Sequence, residues 1–327
     1  MKTFAAALFA ASASAELMTS VDYAFMSFVS SFNKMYATAE EFAVRKEHYA
    51  AISEAIDAIN SNPASTHVAG HNEFSDWTPL EKEQLLGHIP MPAIDKAVVV
   101  QDVEFNGAND IDWRSLGMIG AIKNQGKCGS CWAFSAIGAI EAAWSIKNGL
   151  LSQPMSEQEL VDCSSSAGNF GCSGGAAPWA YDWLAKKATM KEKNYPYTAK
   201  KGTCNYNKKK KVANVESYVW PQGTPAILNQ INVAPVSTVF SAGNDVMSTY
   251  KSGIITETSG CGVLQDHGGV LVGYGSENGV QYYIVRNSWG TNWGEEGYVR
   301  IATNGGGSTG VCGINDYNLG PVVVSAK

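Results

Sequence analysis

The pattern of apolar and polar positions divides the 327-residue chain into a helical N-terminal part and a C-terminal part with many short strands. Residues 16 to about 90 are predicted to be helical, and the stretch from Thr38 to Asn60 has few helix breakers and repeats apolar positions every three or four residues. The pair Asn62-Pro63 ends this helix. We predict a short strand from Val68 to Phe74, then an extended linker over residues 90–109, where prolines and a glycine interrupt any periodicity.

Two helices are predicted after residue 130. The first runs from Cys131 to Lys147 with an apolar stripe, and Gly149 is placed to end it. The second runs from Ser156 to Cys163, because Ser156 and Glu159 have the spacing of a capping box. Both helices precede the region in which strands dominate.

Beyond about residue 210, short β-branched and aromatic runs are separated by Gly, Asn and Pro, a pattern typical of strands joined by turns. The predicted strands are Val212–Val219, Val236–Phe240, Gly269–Tyr274, Tyr282–Val285 and Tyr298–Ile301. Helices come first and strands later, so the pattern predicts an α+β fold with two lobes rather than alternating βαβ units.

The first fifteen residues have the features of a secretory signal peptide. Met1-Lys2 supplies positive charge, residues 3–11 are apolar, and Ala13-Ser14-Ala15 is a small-residue cleavage site. The apolar run is too short to span a bilayer, and no other stretch approaches 18 apolar residues. We therefore expect no membrane segment and a place in the secretory pathway, whether lysosome, food vacuole or extracellular space.

Charge is distributed unevenly along the chain. Residues 1–106 carry six Lys or Arg and fourteen Asp or Glu, whereas residues 107–327 carry eighteen and sixteen. These counts indicate no broad basic field, so we expect no nucleic-acid partner. The run Lys208–Lys211 is interpreted as a solvated turn, with a patch for a polyanion as the less favoured alternative.

The cysteine count predicts one free thiol. All seven cysteines lie between Cys128 and Cys312. A secretory leader implies an oxidising compartment in which disulfides persist. Six cysteines can pair there, so one is left over.

One cysteine and one histidine stand out as a catalytic pair. A cysteine attacks as its thiolate, which a helix N-terminus and a neighbouring imidazolium both stabilise. Cys131 starts a predicted helix, and His267 is the single histidine after residue 100. We predict that they form an ion pair between the two lobes. Asn287 would then orient the imidazole, and Gln125 would donate a hydrogen bond to the oxyanion formed on attack.

Other interpretations of these residues stay open from the residues alone. Cys128 and Cys131 form a C-x-x-C pair, a spacing also found in redox dithiols and zinc sites. A zinc site would need two more ligands, and a redox dithiol would leave five cysteines unexplained. As less favoured alternatives, His267 could be a buried core residue, Asn287 a turn residue and Gln125 a surface amide. We expect no metal and no other cofactor.

Four motifs resemble those of the papain-like cysteine proteases, and the likeness is strongest to the cathepsin L-type endopeptidases. They are QGKCGSCWAF at 125–134, GCSGG at 171–175 with Ser for the family's Asn, DHG with VGYG at 266–275, and NSWGTNWG at 287–294.

The N-terminal part resembles the inhibitory propeptide of the same family (I29 type). The likeness rests on Glu41, Arg45, Tyr49, Ile52, Ile56 and Asn60, of which Tyr49 and Ile52 depart from the pattern, and on Gly70, Asn72, Phe74 and Asp76.

The resemblance implies a papain-like two-lobe fold, with a helical left lobe around a central catalytic helix and an antiparallel, β-barrel-like right lobe. It implies an inhibitory propeptide over residues 16–106, lying through the cleft, and a mature peptidase domain over 107–327. The resemblance implies the disulfides Cys128–Cys172, Cys163–Cys204 and Cys261–Cys312. This pairing leaves Cys131 as the free thiol.

The resemblance also implies a cysteine endopeptidase that forms an acyl-enzyme and is made as a zymogen. The fourteen acidic residues before residue 107 add the hypothesis that acid activates it, because protonating paired carboxylates would weaken the docked propeptide. Its partners would be protein or peptide substrates, its own propeptide and cystatin-type inhibitors, and it would be a monomer. The implied substrate-binding residues are Gly174, Gly175, Ala176, Ala177, Val239, Gln265, Tyr317 and Trp289. Tyr317 at the pocket floor would favour aliphatic over long basic side chains. A catalytically inactive binding protein of the same fold is the alternative, and an epoxide inactivator of active-site thiols would not label it.

Overall fold

The computed structural model describes residues 18–91 and 96–325. The predicted signal peptide over residues 1–15 lies outside the described residues. Within the described ranges, no helix has both the length and the apolar character needed to cross a membrane.

The helices of the described ranges fall into an N-terminal group and a group beyond residue 130. They are α1 (Ser20–Ser31), α2 (Ala39–Ser61), α3 (Pro79–Glu83), α4 (Cys131–Asn148), α5 (Glu157–Cys163), α6 (Ala177–Lys187), α7 (Thr224–Val233) and α8 (Asp245–Ser248). Helix α4 ends at Asn148, one residue beyond the predicted Lys147, and Gly149 ends it as predicted by adopting the left-handed conformation with φ 60°. It is buried on nearly all sides rather than along one stripe, so it is the central helix of the lobe.

The strands form one extended sheet. They are β1 (His67–Ala69), β2 (Val98–Val100), β3 (Ile111–Asp112), β4 (Thr189–Met190), β5 (Lys211–Pro221), β6 (Val236–Phe240), β7 (Tyr250–Ile255), β8 (His267–Glu277), β9 (Val280–Arg286), β10 (Tyr298–Ala302) and β11 (Asn318–Ser325). The strand order is β1-β7-β10-β9-β8-β6-β11-β5-β2, with β3 beside β8 and β4 beside β5.

Two hydrophobic cores define two lobes, which confirms the predicted α+β architecture. The left-lobe core surrounds α4 and α6 with residues such as Trp132, Ile137 and Tyr181. The right-lobe core lies inside the sheet and includes Trp289 and Trp293. The lobes meet where Ala139 of α4 packs against Val270 and Val272 of β8, with Ile284 of β9 beside them.

The right-lobe sheet departs from the expected antiparallel pairing at one place. Strands β7 and β10 pair in parallel, through Ile254 with Arg300 and Ile255 with Ile301. These strands are separated by β8 and β9 in sequence, so no hairpin forces them to run in opposite directions.

The N-terminal segment, described over residues 18–91 and 96–106, contacts the right lobe through strand β1 and reaches both lobes farther along. Its own core is aromatic: the rings of Phe25 and Phe28 pack on Tyr49, with ring centroids 5.3 and 5.0 Å away. Strand β1 extends the right-lobe sheet by pairing with β7, where His67 lies opposite Gly253. The segment is therefore attached to the rest of the molecule by backbone hydrogen bonds as well as by side chains.

Three predictions for local structure need correction. The strand predicted over Val68–Phe74 stops at Ala69, because Asn72 forms a turn in which its Oδ1 accepts from the backbone N–H of Phe74 at 2.9 Å. The capping box at Ser156 is half formed: Ser156 Oγ accepts from Glu159 N, but Glu159 Oε2 accepts from Met190 N instead.

The third correction concerns the predicted linker. It contains strand β2, which pairs in parallel with the far end of β5, from Val98 opposite Val219 to Val100 opposite Pro221. A run of three valines favours this pairing, since β-branched residues suit a sheet edge.

Candidate active site

Cys131 is the first residue of α4 and the one free cysteine in the described residues. The loop before it is held by the Cys128–Cys172 disulfide, and the other two disulfides are Cys163–Cys204 and Cys261–Cys312, the pairing that the resemblance implies. Because Cys128 is paired with Cys172, the C-x-x-C spacing is not a redox dithiol here.

His267 opens strand β8 of the opposite lobe and lies beside the start of α4. Its Nε2 is 2.8 Å from Asn287 Oδ1, and its ring centroid is 4.7 Å from that of buried Trp289. A Cβ on the next residue, Gly268, would lie 3.1 Å from Cys131 O, so the two chains meet at near-contact distance. The cleft thus brings together the predicted pair and Asn287, which was predicted to orient the imidazole, with Trp289 beside the ring.

Gln125 is buried at the same junction of lobes. Its Oε1 accepts from Ser288 Oγ at 2.6 Å, which fixes the orientation of the amide. Its Nε2 donates to Cys128 O at 2.8 Å and to Leu85 O at 2.9 Å. The amide N–H is therefore directed into the cleft, and Gln125 is not a surface amide.

Residues 85–89 of the N-terminal segment run through the cleft and bridge both lobes. Leu85 O lies 3.2 Å from His267 Nδ1 as well as 2.9 Å from Gln125 Nε2. Farther along, Gly175 N donates to Gly87 O and Ile89 N donates to Gly175 O, both at 2.9 Å. On the other lobe, the N–H groups of Gly87 and His88 both donate to Asp266 O at 3.1 Å. The segment is bound mainly through its backbone, as an added strand would be.

The side chain of His88 fills a pocket between the lobes. Ala177, Val239 and Tyr317 are among the residues that line this pocket, and about 10 Å³ of the pocket is left empty. The His88 Nε2 is buried there without a hydrogen-bond partner. Burial lowers the pKa of His88 to about 4, and the charge of a protonated His267 would lower it in the same direction. The pocket therefore holds the neutral imidazole.

Burial under residues 85–89 also affects the charge state of the predicted pair, Cys131 and His267. Burial raises the pKa of Cys131 to about 12. Burial lowers the pKa of His267 to about 4, although hydrogen bonding to Asn287 and Leu85 acts in the opposite direction. Both shifts favour the neutral thiol and imidazole, so the predicted ion pair is not the favoured state while residues 85–89 cover the cleft.

The other predicted substrate-binding residues divide into two groups. Gly174 faces the N-terminal segment, since a Cβ there would lie 3.0 Å from Gly87 O. Trp289 lines a cavity of about 350 Å³ together with Phe74, Trp77 and Leu86 of that segment. The prediction is wrong for Ala176 and Gln265, which do not line the His88 pocket, because the Ala176 N–H donates to Asn169 Oδ1 and Gln265 Nε2 donates to Gly313 O and Asp316 Oδ2.

Sequence reasoning missed the residues that block the cleft, Leu85 and His88. The resemblance indicated that the N-terminal part crosses the cleft but gave no register. The available signal was the sequence Leu85-Leu86-Gly87-His88, in which a glycine allows close approach to another backbone. A Cβ at Gly87 would lie 2.1 Å from Gly129 O, which shows how tight that approach is.

Comparisons with known proteins agree with this geometry. The family model described as papain family cysteine protease matches residues 107–322, and the cathepsin propeptide inhibitor domain (I29) matches residues 25–81. Cysteine protease XCP2 of Arabidopsis thaliana is 35% identical over 346 residues, covering 95% of this chain and 94% of the relative. Fruit bromelain of Ananas comosus is 34% identical, covering 92% and 86%.

Among solved structures, the digestive procathepsin L2 proteinase from Tenebrio molitor larval midgut is similar, with a TM-score of 0.84 and 31% identity over 92% of this chain and 99% of that one. The chain belongs to the papain family of cysteine proteases and carries the family's inhibitory propeptide domain. It is therefore a cysteine protease zymogen, with peptide substrates and its own propeptide as intramolecular inhibitor.

Proposed function

We propose that this protein is an endopeptidase in which Cys131 is the nucleophile, His267 the acid and base, Asn287 the orienting residue and Gln125 an oxyanion donor. The observation that carries the proposal is the position of Leu85 O, within hydrogen-bonding distance of both Gln125 Nε2 and His267 Nδ1. A carbonyl of the protein's own chain thus occupies the place where a substrate carbonyl would be polarised.

Catalysis begins when the propeptide leaves and water enters the cleft, since burial no longer disfavours charge on Cys131 and His267. The thiolate attacks the scissile carbonyl carbon, and negative charge moves to an oxygen that Gln125 Nε2 stabilises. The His267 imidazolium gives its proton to the leaving amine, and an acyl-enzyme forms. Neutral His267 then takes a proton from water, which attacks the thioester, and release of the carboxylate product restores the thiolate.

An endopeptidase is favoured because both ends of the cleft admit polypeptide. The N-terminal segment passes from the cavity at Trp289, past Leu85 and His88, to Met91, whose carbonyl accepts from Tyr317 Oη at 2.6 Å. His267 is also the one histidine after residue 100, so the region offers no second imidazole to bind a terminal carboxylate. We accordingly assign residues 1–15 to a signal peptide, 16–106 to the propeptide and 107–327 to the mature enzyme, acting in the secretory pathway.

The maturation boundary has a direct test. Acidification of the purified proenzyme is expected to yield a product whose N-terminus lies near Gly107, found by N-terminal sequencing. Cys131→Ser should remain full length under the same conditions. A product of the same sequence from the Cys131→Ser protein would show that another nucleophile, or a contaminating protease, performs the cleavage.

Substrate preference is expected to follow the pocket that His88 fills. Its walls at Ala177 and Val239 are apolar, and the ring of Tyr317, stacked on Trp220 at 6.0 Å, limits its depth. The kcat/KM for peptides with Leu or Val two residues before the scissile bond should therefore be about tenfold higher than for peptides with Arg at that position. Kinetics on a peptide library would contradict this if Arg were preferred at that position.

A further inference from the structure

The left lobe carries a concentrated positive charge that the protease activity does not use. Between residues 186 and 211 the chain has ten lysines and one acidic residue, Glu192. The rest of the region 107–327 has eight Lys or Arg and fifteen Asp or Glu, so a nearly neutral total conceals the cluster. We call its surface the lysine face, formed by Lys186, Lys187, Lys191, Lys193, Lys200, Lys201 and Lys208–Lys211.

Backbone pairing brings the separate segments of the lysine face together. Helix α6 ends at Lys187, and strand β4 follows directly. Strand β4 pairs antiparallel with the start of β5, so that Met190 lies opposite Lys211. The hydroxyl of Tyr206 donates to Lys187 O and ties the chain before Lys208 to the end of α6. The end of α6 and the beginning of β5 therefore present their lysines side by side.

The loop that carries Lys200 and Lys201 is also held in place. Cys204 is bonded to Cys163 of α5, and Gln158 Nε2 donates to Lys200 O at 2.7 Å. Gly202 N donates to Asp162 Oδ1 at 2.6 Å. The charges thus stand on a fixed backbone, which lowers the entropy lost when a ligand binds.

The positive charge of the lysine face is not neutralised within the protein. Nine of the ten lysines are exposed, and none of the ten forms an ion pair with any described residue. Three acids beside the lysine face have other partners: Glu192 Oε2 lies 3.1 Å from Lys123 Nζ, Asp182 pairs with Lys96, and Asp162 accepts from Gly202 N and Tyr195 Oη. Lys186 and Lys187 lie in the last turn of α6, where the helix dipole stabilises positive charge. This effect does not account for the other eight lysines.

We propose that the lysine face binds a linear polysaccharide bearing sulfate or carboxylate groups. Such a chain offers regularly spaced anions, and binding would release the counterions that the clustered lysines hold. Lysine acts as a point charge for such groups, and the cluster contains no arginine for bidentate or stacking contacts with nucleic acid. No large apolar side chain is exposed among residues 186–211, so the face lacks the groups that insert into a lipid surface.

The lysine face is accessible in the zymogen as well as after processing. Strand β2 of the N-terminal segment pairs with β5 at Val219–Pro221, the opposite end of this strand from Lys211. Ten residues of strand separate the two ends, about 33 Å. Binding of a polysaccharide would therefore hold both forms of the protease on an anionic matrix without occupying the cleft. This revises the interpretation of Lys208–Lys211 as a simple solvated turn.

The test is binding of the full-length proenzyme at neutral pH to immobilised dextran sulfate and, separately, to polygalacturonate, over a series of salt concentrations. The whole chain has a net charge of −6, so attraction to a polyanion requires a local face. We expect the triple variant Lys208→Ser, Lys209→Ser, Lys210→Ser to bind about tenfold more weakly or worse. The slope of log affinity against log salt should fall by about 2 to 3.

A charge-matched control makes the test specific. The control is the triple variant Lys251→Ser, Asn278→Asp, Asn304→Asp, which lowers the net charge by the same amount at exposed positions of the right lobe. Its affinity for the polysaccharide should change by less than about twofold. Equal losses in the two triple variants, or no binding by the unmodified protein to either polysaccharide, would overturn the proposal. Tighter binding to a single-stranded oligonucleotide or to anionic lipid vesicles than to both polysaccharides would also overturn it. Peptide hydrolysis after processing should be unchanged in both variants.

Discussion

Cys131→Ala is expected to lower kcat/KM for peptide hydrolysis by about 10⁴-fold or more. Alanine removes the nucleophile but keeps the helix start, and Cys131 is fully buried in the zymogen, so the loss should not come from misfolding alone. The variant cannot process itself, so the propeptide is removed by adding a small amount of active enzyme. The measurement is steady-state hydrolysis of a short peptide, with thermal unfolding of both proteins as a check.

A neighbouring hydroxyl provides the control for this prediction. Ser130 precedes the nucleophile, and its Oγ lies 2.6 Å from Tyr197 Oη, directed away from the segment in the cleft. Ser130→Ala should retain activity within about tenfold, since it loses one partly buried hydrogen bond. If Cys131→Ala kept more than a few per cent of the activity, hydrolysis would have to proceed without a covalent intermediate on this residue.

His88→Leu is expected to make the zymogen far less responsive to acid. The docked His88 has a pKa of about 4, below the ordinary value of 6.5, because its pocket accepts the neutral ring. Docking is thus fully favoured above pH 6.5 and weakens as pH falls from 6.5 towards 4. When His88 is released, its imidazole is protonated below the ordinary pKa, and this protonation competes with docking. By linkage, docking weakens by about 30-fold between pH 8 and pH 5. Leucine fills a similar volume and does not titrate.

The measurement is the rate of self-processing against pH, and the difference in pH dependence is the readout. Wild type and His88→Leu should have similar slopes above pH 7 and separate by at least tenfold as pH falls towards 4. His267, Tyr317, Ser237 and the backbone carbonyl of Asp266 face His88, and no carboxylate of the described residues lines its pocket to hold the protonated form. His48→Leu, on α2, borders a different cavity from the His88 pocket and should behave as wild type. Parallel pH profiles for His88→Leu and wild type would refute this role.

Carboxylates of the propeptide add to the same response. The Arg45 guanidinium bonds to Glu81 and holds the pKa of that carboxyl well below its ordinary value. This contribution to docking is present above the ordinary pKa of a glutamate and is lost as pH falls through the lowered one. It therefore acts at lower pH than His88, which begins to respond near neutrality.

The sequence predicted the parts of the molecule in which local signals and packing agree. Helix α4 was predicted within one residue because Gly149 ends it, and strand β6 matches its predicted bounds of Val236–Phe240. The cleft residues Cys131, His267, Asn287 and Gln125 were found because few residues of those types occur in the right pattern. Their relation to one another depends on how the two lobes pack, which the resemblance supplied and periodicity did not.

Elements missed by sequence reasoning have identifiable causes. Helices α6 and α7 each carry a proline in the first turn, Pro178 and Pro225, where proline is compatible with a helix but resembles a breaker in sequence. Strand β11 contains Pro321 and was not predicted. Strand β7 includes Gly253, which has a φ of 94° and lies opposite His67 of the docked propeptide. The neutral state of the catalytic pair depends on burial by residues more than 40 positions away in sequence.

We propose that the propeptide residues Leu85–His88 cover the thiol of Cys131, which becomes a nucleophile when they leave. Labelling with an epoxide inactivator, followed by peptide mapping, would show whether this is so. We expect one adduct per molecule, on Cys131, after acid processing, and at least a hundredfold slower labelling of the intact zymogen at neutral pH. Equal labelling rates before and after processing, or no adduct on Cys131 in the processed protein, would contradict it.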